Sequence, residues 1–226
     1  EKRLPKEAPS VRGRNVQIGE LQPKGTIIFH FSQREGGRIL PPEKGNPMLI
    51  INGTVHTMDG LTIPGGYVAI RGDKIAQVGP MEECPKDWEG RIFDARGGHI
   101  TPGFIDAHCH LGMFGDGVGI EGDDGNEATD PCTPHLRAVD AVNPLDRCFQ
   151  EAREAGVTTV LTGPGSANPI SGQFAALKTN GKWVDAMVLK APAAMKMALG
   201  ENPKLTYNER HETPSTRMAT AAVIRE

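Results

Sequence analysis

The pattern of the chain changes at Gly98, and that change constrains the fold more than any other feature. Between Met48 and Gly98, short apolar and β-branched runs alternate with turn residues: Met48–Ile51, Thr54–Met58, Tyr67–Arg71, Lys74–Val78 and Arg91–Asp94. Alternation in Tyr67–Arg71 and Ile75–Val78 predicts half-buried strands, and Gly72-Asp73 joins them as a tight turn. Residues 48–100 therefore read as a small β domain, sheet-like or sandwich-like. After Gly98 the order becomes strand, loop, helix, strand, which is the pattern of parallel α/β architecture.

In that second part, Gly103–His110 is the first strand. A Gly- and Asp-rich loop follows from Gly112 to about Asp130, long and polar enough to be a lid. Asn143-Pro144 opens a helix that runs to Ala155, with Gly156 as its stop. Val157–Thr162 is a β-branched second strand ended by Gly163-Pro164-Gly165. Phe174 to Lys190 reads as a hairpin-like excursion around Asn180-Gly181. A third strand, Ala194–Leu199, ends at Gly200-Glu201-Asn202-Pro203, and a last helix starts near Thr213-Pro214. Residues 1–47 form an N-terminal extension of uncertain structure in which Thr26–Phe31 is the one strand-like run.

Composition narrows the function. With 38% hydrophobic and 23% charged residues the chain is far from the disordered regime, and 28 Gly and 18 Pro imply many turns. A net charge of −3 offers no field for nucleic acid or an anionic membrane, so a small-molecule substrate is the expected partner. Cys84, Cys109, Cys132 and Cys148 have no close spacing, as expected of reduced thiols in a cytoplasmic protein. No apolar stretch is long enough to span a bilayer, and Glu1-Lys2-Arg3 is not followed by a signal-like run.

The chemistry concentrates on the first α/β strand. Residues two apart on a strand face the same side, so His108 and His110 project together and Cys109 projects away. They stand at the carboxyl end, where α/β folds place their sites. Neutral imidazoles suit a zinc-like ion, and such an ion lowers the pKa of bound water to about 7, making hydroxide available for hydrolysis. The string Gly98-His99-Ile100-Thr101-Pro102-Gly103-Phe104-Ile105-Asp106-Ala107-His108-Cys109-His110 resembles the first-strand signature of the amidohydrolase superfamily, nearest to its imidazolonepropionase-like members.

The resemblance covers roughly Met48 to Glu226. It implies that residues 101–226 are the N-terminal part of a (β/α)8, TIM-like barrel carrying a β satellite domain. It implies a metal-dependent hydrolase of a C–N bond, amide or cyclic amide or amidine, with one or two divalent ions, zinc foremost. His108 and His110 would be metal ligands, and an acidic group from a later strand would join them. Glu201, just past the third strand, is the favoured choice; a carboxylated Lys196 is the alternative. Asp106 either orients a ligand or bonds to nearby backbone. His99 reads as structural, while His135 and His211 read as solvated loop residues. The acidic cluster Asp116, Glu121, Asp123, Asp124 and Glu127 lacks the spacing of a calcium loop and reads as part of the lid. Gly163-Pro164-Gly165-Ser166 lacks the lysine of a phosphate-binding loop.

The chain departs from the family in length. A barrel of this kind needs eight strand-helix units and about 250 residues, and about three units are present. The family's later metal histidines and its general-base aspartate have no positions here. The expectation is a fragment of a longer product, associating with the remainder of the barrel or with further copies of itself. A noncatalytic scaffold derived from an amidohydrolase, or an esterase or lactonase of the same superfamily, are the alternative functions.

Overall fold

The computed structural model describes residues 26–28, 47–115 and 119–226, the first of these segments by its backbone alone. The rest of the strand expected over Thr26–Phe31, and Asp116, lie outside the described residues.

The first sheet contains β1 (Thr26–Ile28), β2 (Met48–His56), β3 (Thr62–Arg71), β4 (Lys74–Pro80), β5 (Arg91–Asp94) and β6 (His99–Thr101). Its order is β1-β6-β2-β3-β4, with β5 also on β2. β2, β3 and β4 form an antiparallel meander, whereas β5 and β6 run parallel to β2 along successive halves of it. The two runs expected at Met48–Ile51 and Thr54–Met58 are one strand. Asn52 takes a φ of 58° and shifts the register without ending the pairing, and Gly53 leaves room for Ile100 and Ala95 against its Cα.

Burial in this sheet differs from the half-buried expectation. Tyr67, Val68, Ala69 and Ile70 are all buried, because β3 has a core on each side. Met48, Ile50, Val55, Val68, Ile70, Ala95 and Ile100 pack together on one face. Leu49, Tyr67 and Ala69 pack on the other, under Ile51, Met81, Cys84 and Trp88. β4 is an edge strand, and Ile75 is exposed on it.

The second sheet contains β7 (Phe104–Cys109), β8 (Val157–Thr162), β9 (Ile170–Lys178) and β10 (Val188–Met197), in the order β10-β9-β8-β7. Between β7 and β8 lie α1 (Ala138–Ala141) and α2 (Arg147–Glu154); α3 (Val184–Met187) interrupts the β9–β10 connection, and α4 (Glu201–Glu209) and α5 (Arg217–Arg225) follow. The helix expected from Asn143 starts later. Asp146 is its cap, accepting from the Cys148 amide at 3.1 Å, and Gly156 at φ 91° ends it. α2 buries Phe149 against Val160, Ala175, Leu177 and Met113, which forms the core of this half.

β7 and β8 pair in parallel across α2, giving one β-α-β unit. Beyond it the barrel expectation is not met in these strands: β8–β9 and β9–β10 are antiparallel. The excursion around Asn180-Gly181 is the turn of a long hairpin, and the expected third strand, Ala194–Leu199, lies on its antiparallel return arm only as far as Met197. The described strands are thus an α/β arrangement with mixed sheets. Edge strands β7 and β10 leave Phe104, Ile105, Leu189, Met195 and Met197 exposed. Among the described residues no helix is long and apolar enough to cross a membrane.

Candidate metal centre

Period two, carried one residue past the end of β7, has the predicted effect. The His108 and His110 rings share one face, with centroids 5.5 Å apart and planes at 81°. Cys109 points the other way, toward the Leu161 carbonyl, and burial pushes its thiol up. Phe174 of β9 lies against both imidazoles, with centroid distances of 5.5 and 6.3 Å. It reaches them over Gly163, where a side chain would collide with its ring.

That same glycine orients a histidine. His110 Nδ1 is 2.7 Å from the Gly163 carbonyl oxygen, and a carbonyl only accepts, so Nδ1 carries a proton and, in the neutral ring, Nε2 holds the lone pair. Histidine ligands of metals are commonly fixed in this way, one nitrogen donating to backbone and the other binding the ion. Asp106 accepts from the backbone amide of His108 at 3.1 Å, so its local role is to brace the strand end.

Lys196 is the third member. Its Nζ lies 3.2 Å from His108 Nε2. The two belong to edge strands of a four-stranded order, which in a flat sheet would stand about 14 Å apart at about 4.8 Å per strand. They meet because the two long side chains reach toward each other across the sheet. The Lys196 charge, then burial and His110, hold His108 below its usual range, against the opposing effect of Asp106. Burial lowers Lys196 in turn. Both groups are biased toward their neutral forms.

Glu201 is not brought to the pair. It sits exposed in the first turn of α4, capped by Gly200, and it makes no hydrogen bond to either imidazole. Among the described residues no three His, Cys, Asp or Glu side chains cluster to hold an ion. The loop after β7 folds on itself: Phe114 packs over Gly125 and stands 6.2 Å from His110. Glu127 is bonded to Thr129 and Asp130 to the Cys132 amide. His135 and His211 are exposed. His99 is not solitary, since it meets His56 of β2. Phe174 and the Gly163 carbonyl carried no signal as site residues; only the position of Gly163 at the end of the strand beside His110 pointed to it.

No family model matches the chain. It is 35% identical over 205 residues to the amidohydrolase TasK of Hapsidospora irregularis, an alignment covering 77% of the chain and 20% of that relative. An imidazolonepropionase of Yersinia pestis is 50% identical over 54 residues, covering 24% of the chain and 13% of that protein. A solved amidohydrolase from Thermotoga maritima superposes with a TM-score of 0.73 at 46% identity, over 79% of the chain and 45% of the neighbour. The chain belongs to the amidohydrolase superfamily. It spans about a fifth of the TasK relative and under half of the Thermotoga amidohydrolase.

Members of the superfamily typically use divalent metals, and the residues present suit one. Two imidazoles on one face, one oriented by the Gly163 carbonyl and the other with its pKa lowered by the neighbouring Lys196 charge, make half of a four-coordinate donor set for a borderline ion.

Proposed function

We propose that the protein to which this chain belongs hydrolyses a C–N bond, of an amide, cyclic amide or amidine, in a small molecule, and that His108 and His110 hold a divalent ion, zinc foremost. The observation that carries the proposal is the 2.7 Å contact between His110 Nδ1 and the Gly163 carbonyl, because it leaves Nε2 free beside the His108 ring. An ion bound there supplies Lewis acidity and lowers the pKa of water toward neutrality.

The chain's own residues contribute in distinct ways. The Gly163 carbonyl holds one ligand in its binding tautomer, and Phe174 walls the pair and fixes their mutual angle. Lys196 supplies the acidic ligand once carbon dioxide adds to its neutral amine: the nitrogen lone pair forms the N–C bond, one proton leaves, and a carbamate anion remains. Desolvation favours the neutral amine this addition needs. Glu201 is the second candidate for the same position. The rest of the site, including a general base, comes from the remainder of the longer product.

The test uses the full-length product loaded with zinc and a panel of amides, cyclic amides, amidines, esters and lactones. Hydrolysis of a C–N substrate that falls at least about a hundredfold in His108→Ala and in His110→Ala is the expected result. Hydrolysis of esters or lactones alone, or activity indifferent to both variants, would refute it. Growth on 13C-bicarbonate should place a carbamate carbon resonance on wild type that is missing from Lys196→Arg; its absence from wild type would return the acidic ligand to Glu201.

A further inference from the structure

The first sheet carries a second pair of imidazoles that the candidate centre does not use. His56 ends β2 and His99 opens β6, two strands that run parallel with Thr54 opposite His99 and Val55 opposite Ile100. Val55 and Ile100 are buried in the core of one face, so alternation turns His56 and His99 to the other. There His56 Nε2 lies 2.8 Å from His99 Nδ1, with ring centroids 5.0 Å apart and planes at 30°. His56 is half-buried and His99 exposed, so solvent reaches the pair. Neither ring makes another hydrogen bond among the described residues.

Two neutral imidazoles in this arrangement share one proton along an N–H···N line. If each ring carries its proton on the outer nitrogen instead, Nδ1 of His56 and Nε2 of His99, both inner nitrogens present lone pairs to one gap. Metal–nitrogen bonds of about 2.0–2.1 Å set two ligands about 2.9 Å apart in adjacent square-planar or octahedral positions, and about 3.3 Å apart in a tetrahedron. The observed 2.8 Å matches the first separation and falls about half an ångström short of the second, and each ring turns by about 45° or 35° respectively so that the two lone pairs converge on the ion instead of lying along the N···N line. Strand pairing holds the two backbones in register, so side-chain rotation alone can make that adjustment.

We propose that His56 and His99 form a two-histidine site for a borderline divalent ion, Cu²⁺, Ni²⁺ or Zn²⁺, with water in the other positions. The ion replaces the shared proton as the link between β2 and β6. It thereby staples the strand that leads through Pro102-Gly103 into β7 and its histidines.

The experiment uses the full chain carrying His108→Ala and His110→Ala, which silences the other centre, and titrates it with Cu²⁺ by calorimetry and electron paramagnetic resonance. Uptake of one ion with nitrogen couplings from imidazole is expected, and adding His56→Ala or His99→Ala should weaken binding at least about tenfold. Cu²⁺ should raise the melting temperature of the background protein and leave that of the added variants unmoved, since an ion that binds only the folded form stabilises it. His99→Gln replaces His99→Ala if the latter fails to fold. No uptake by the background, or equal affinity with and without the His56 and His99 substitutions, would overturn the proposal.

Discussion

Tyr207→Phe isolates one buried hydrogen bond that anchors α4. Tyr207 and Asn168 are each 1% exposed. The Tyr207 hydroxyl donates to Asn168 Oδ1 at 2.7 Å, while Asn168 Nδ2 donates to the Glu127 carbonyl at 2.5 Å and to Thr133 Oγ1 at 3.1 Å. Phenylalanine keeps the ring and its packing but removes the donor, leaving Oδ1 of Asn168 buried without a partner. An unsatisfied buried acceptor costs about 1–3 kcal/mol. At about 2–4 °C per kcal/mol for a chain of this size, a mid-range loss lowers the melting temperature by roughly 4–8 °C. Urea denaturation and calorimetry measure both. Asn168→Ala should cost more, because it orphans groups on α4 and in the segment before α1, and the double variant should fall short of the sum by about 0.5–3 kcal/mol. A Tyr207→Phe loss below about 0.5 kcal/mol, or strict additivity with Asn168→Ala, would refute the network.

Burial raises Tyr67 and pushes Tyr207 up to about 12, so phenolate absorbance should stay low as pH passes the ~10 of free tyrosine. The unfolded chain gives up the Tyr207 proton near that pH while the folded chain keeps it, so stability should fall as pH rises from about 10 to about 12; ionisation of both tyrosines near pH 10 in folded protein would contradict this. Phe149→Ala empties the centre of the second core and should cost about 3–5 kcal/mol in a denaturation experiment. Gly163→Ala drives a methyl group into Phe174, which should cost about 1–3 kcal/mol and weaken zinc binding in a competition titration; unchanged affinity would mean that Phe174 does not position the imidazoles.

What could be read from the chain was local. β7, β8 and the end of α2 follow from alternation, β-branching and a stop glycine, all decided within a few residues, whereas the start of α2 was read at Asn143 and lies at the Asp146 cap. The antiparallel return of β9 and β10 was half visible: Asn180-Gly181 marks a reversal, but nothing local tells how far the arms extend. α4 was missed because Gly200-Glu201-Asn202-Pro203 has turn composition, although proline is tolerated in a first helical turn whose amides lack partners. The shared face of His108 and His110 came from parity alone. The meeting of Lys196 with His108, 88 residues apart, depends on the strand order of the second sheet, and that of His56 with His99, 43 apart, on the parallel register of β2 and β6. Neither leaves a trace in spacing.

The claim on which the functional reading turns is that His108 and His110 together hold a divalent ion. Elemental analysis of the full-length product in a His56→Ala background, before and after His108→Ala or His110→Ala, tests it directly. Stoichiometric zinc-like metal that is lost in either variant, with the fold intact by circular dichroism, is the predicted result. Metal content that stays the same in both variants would contradict it.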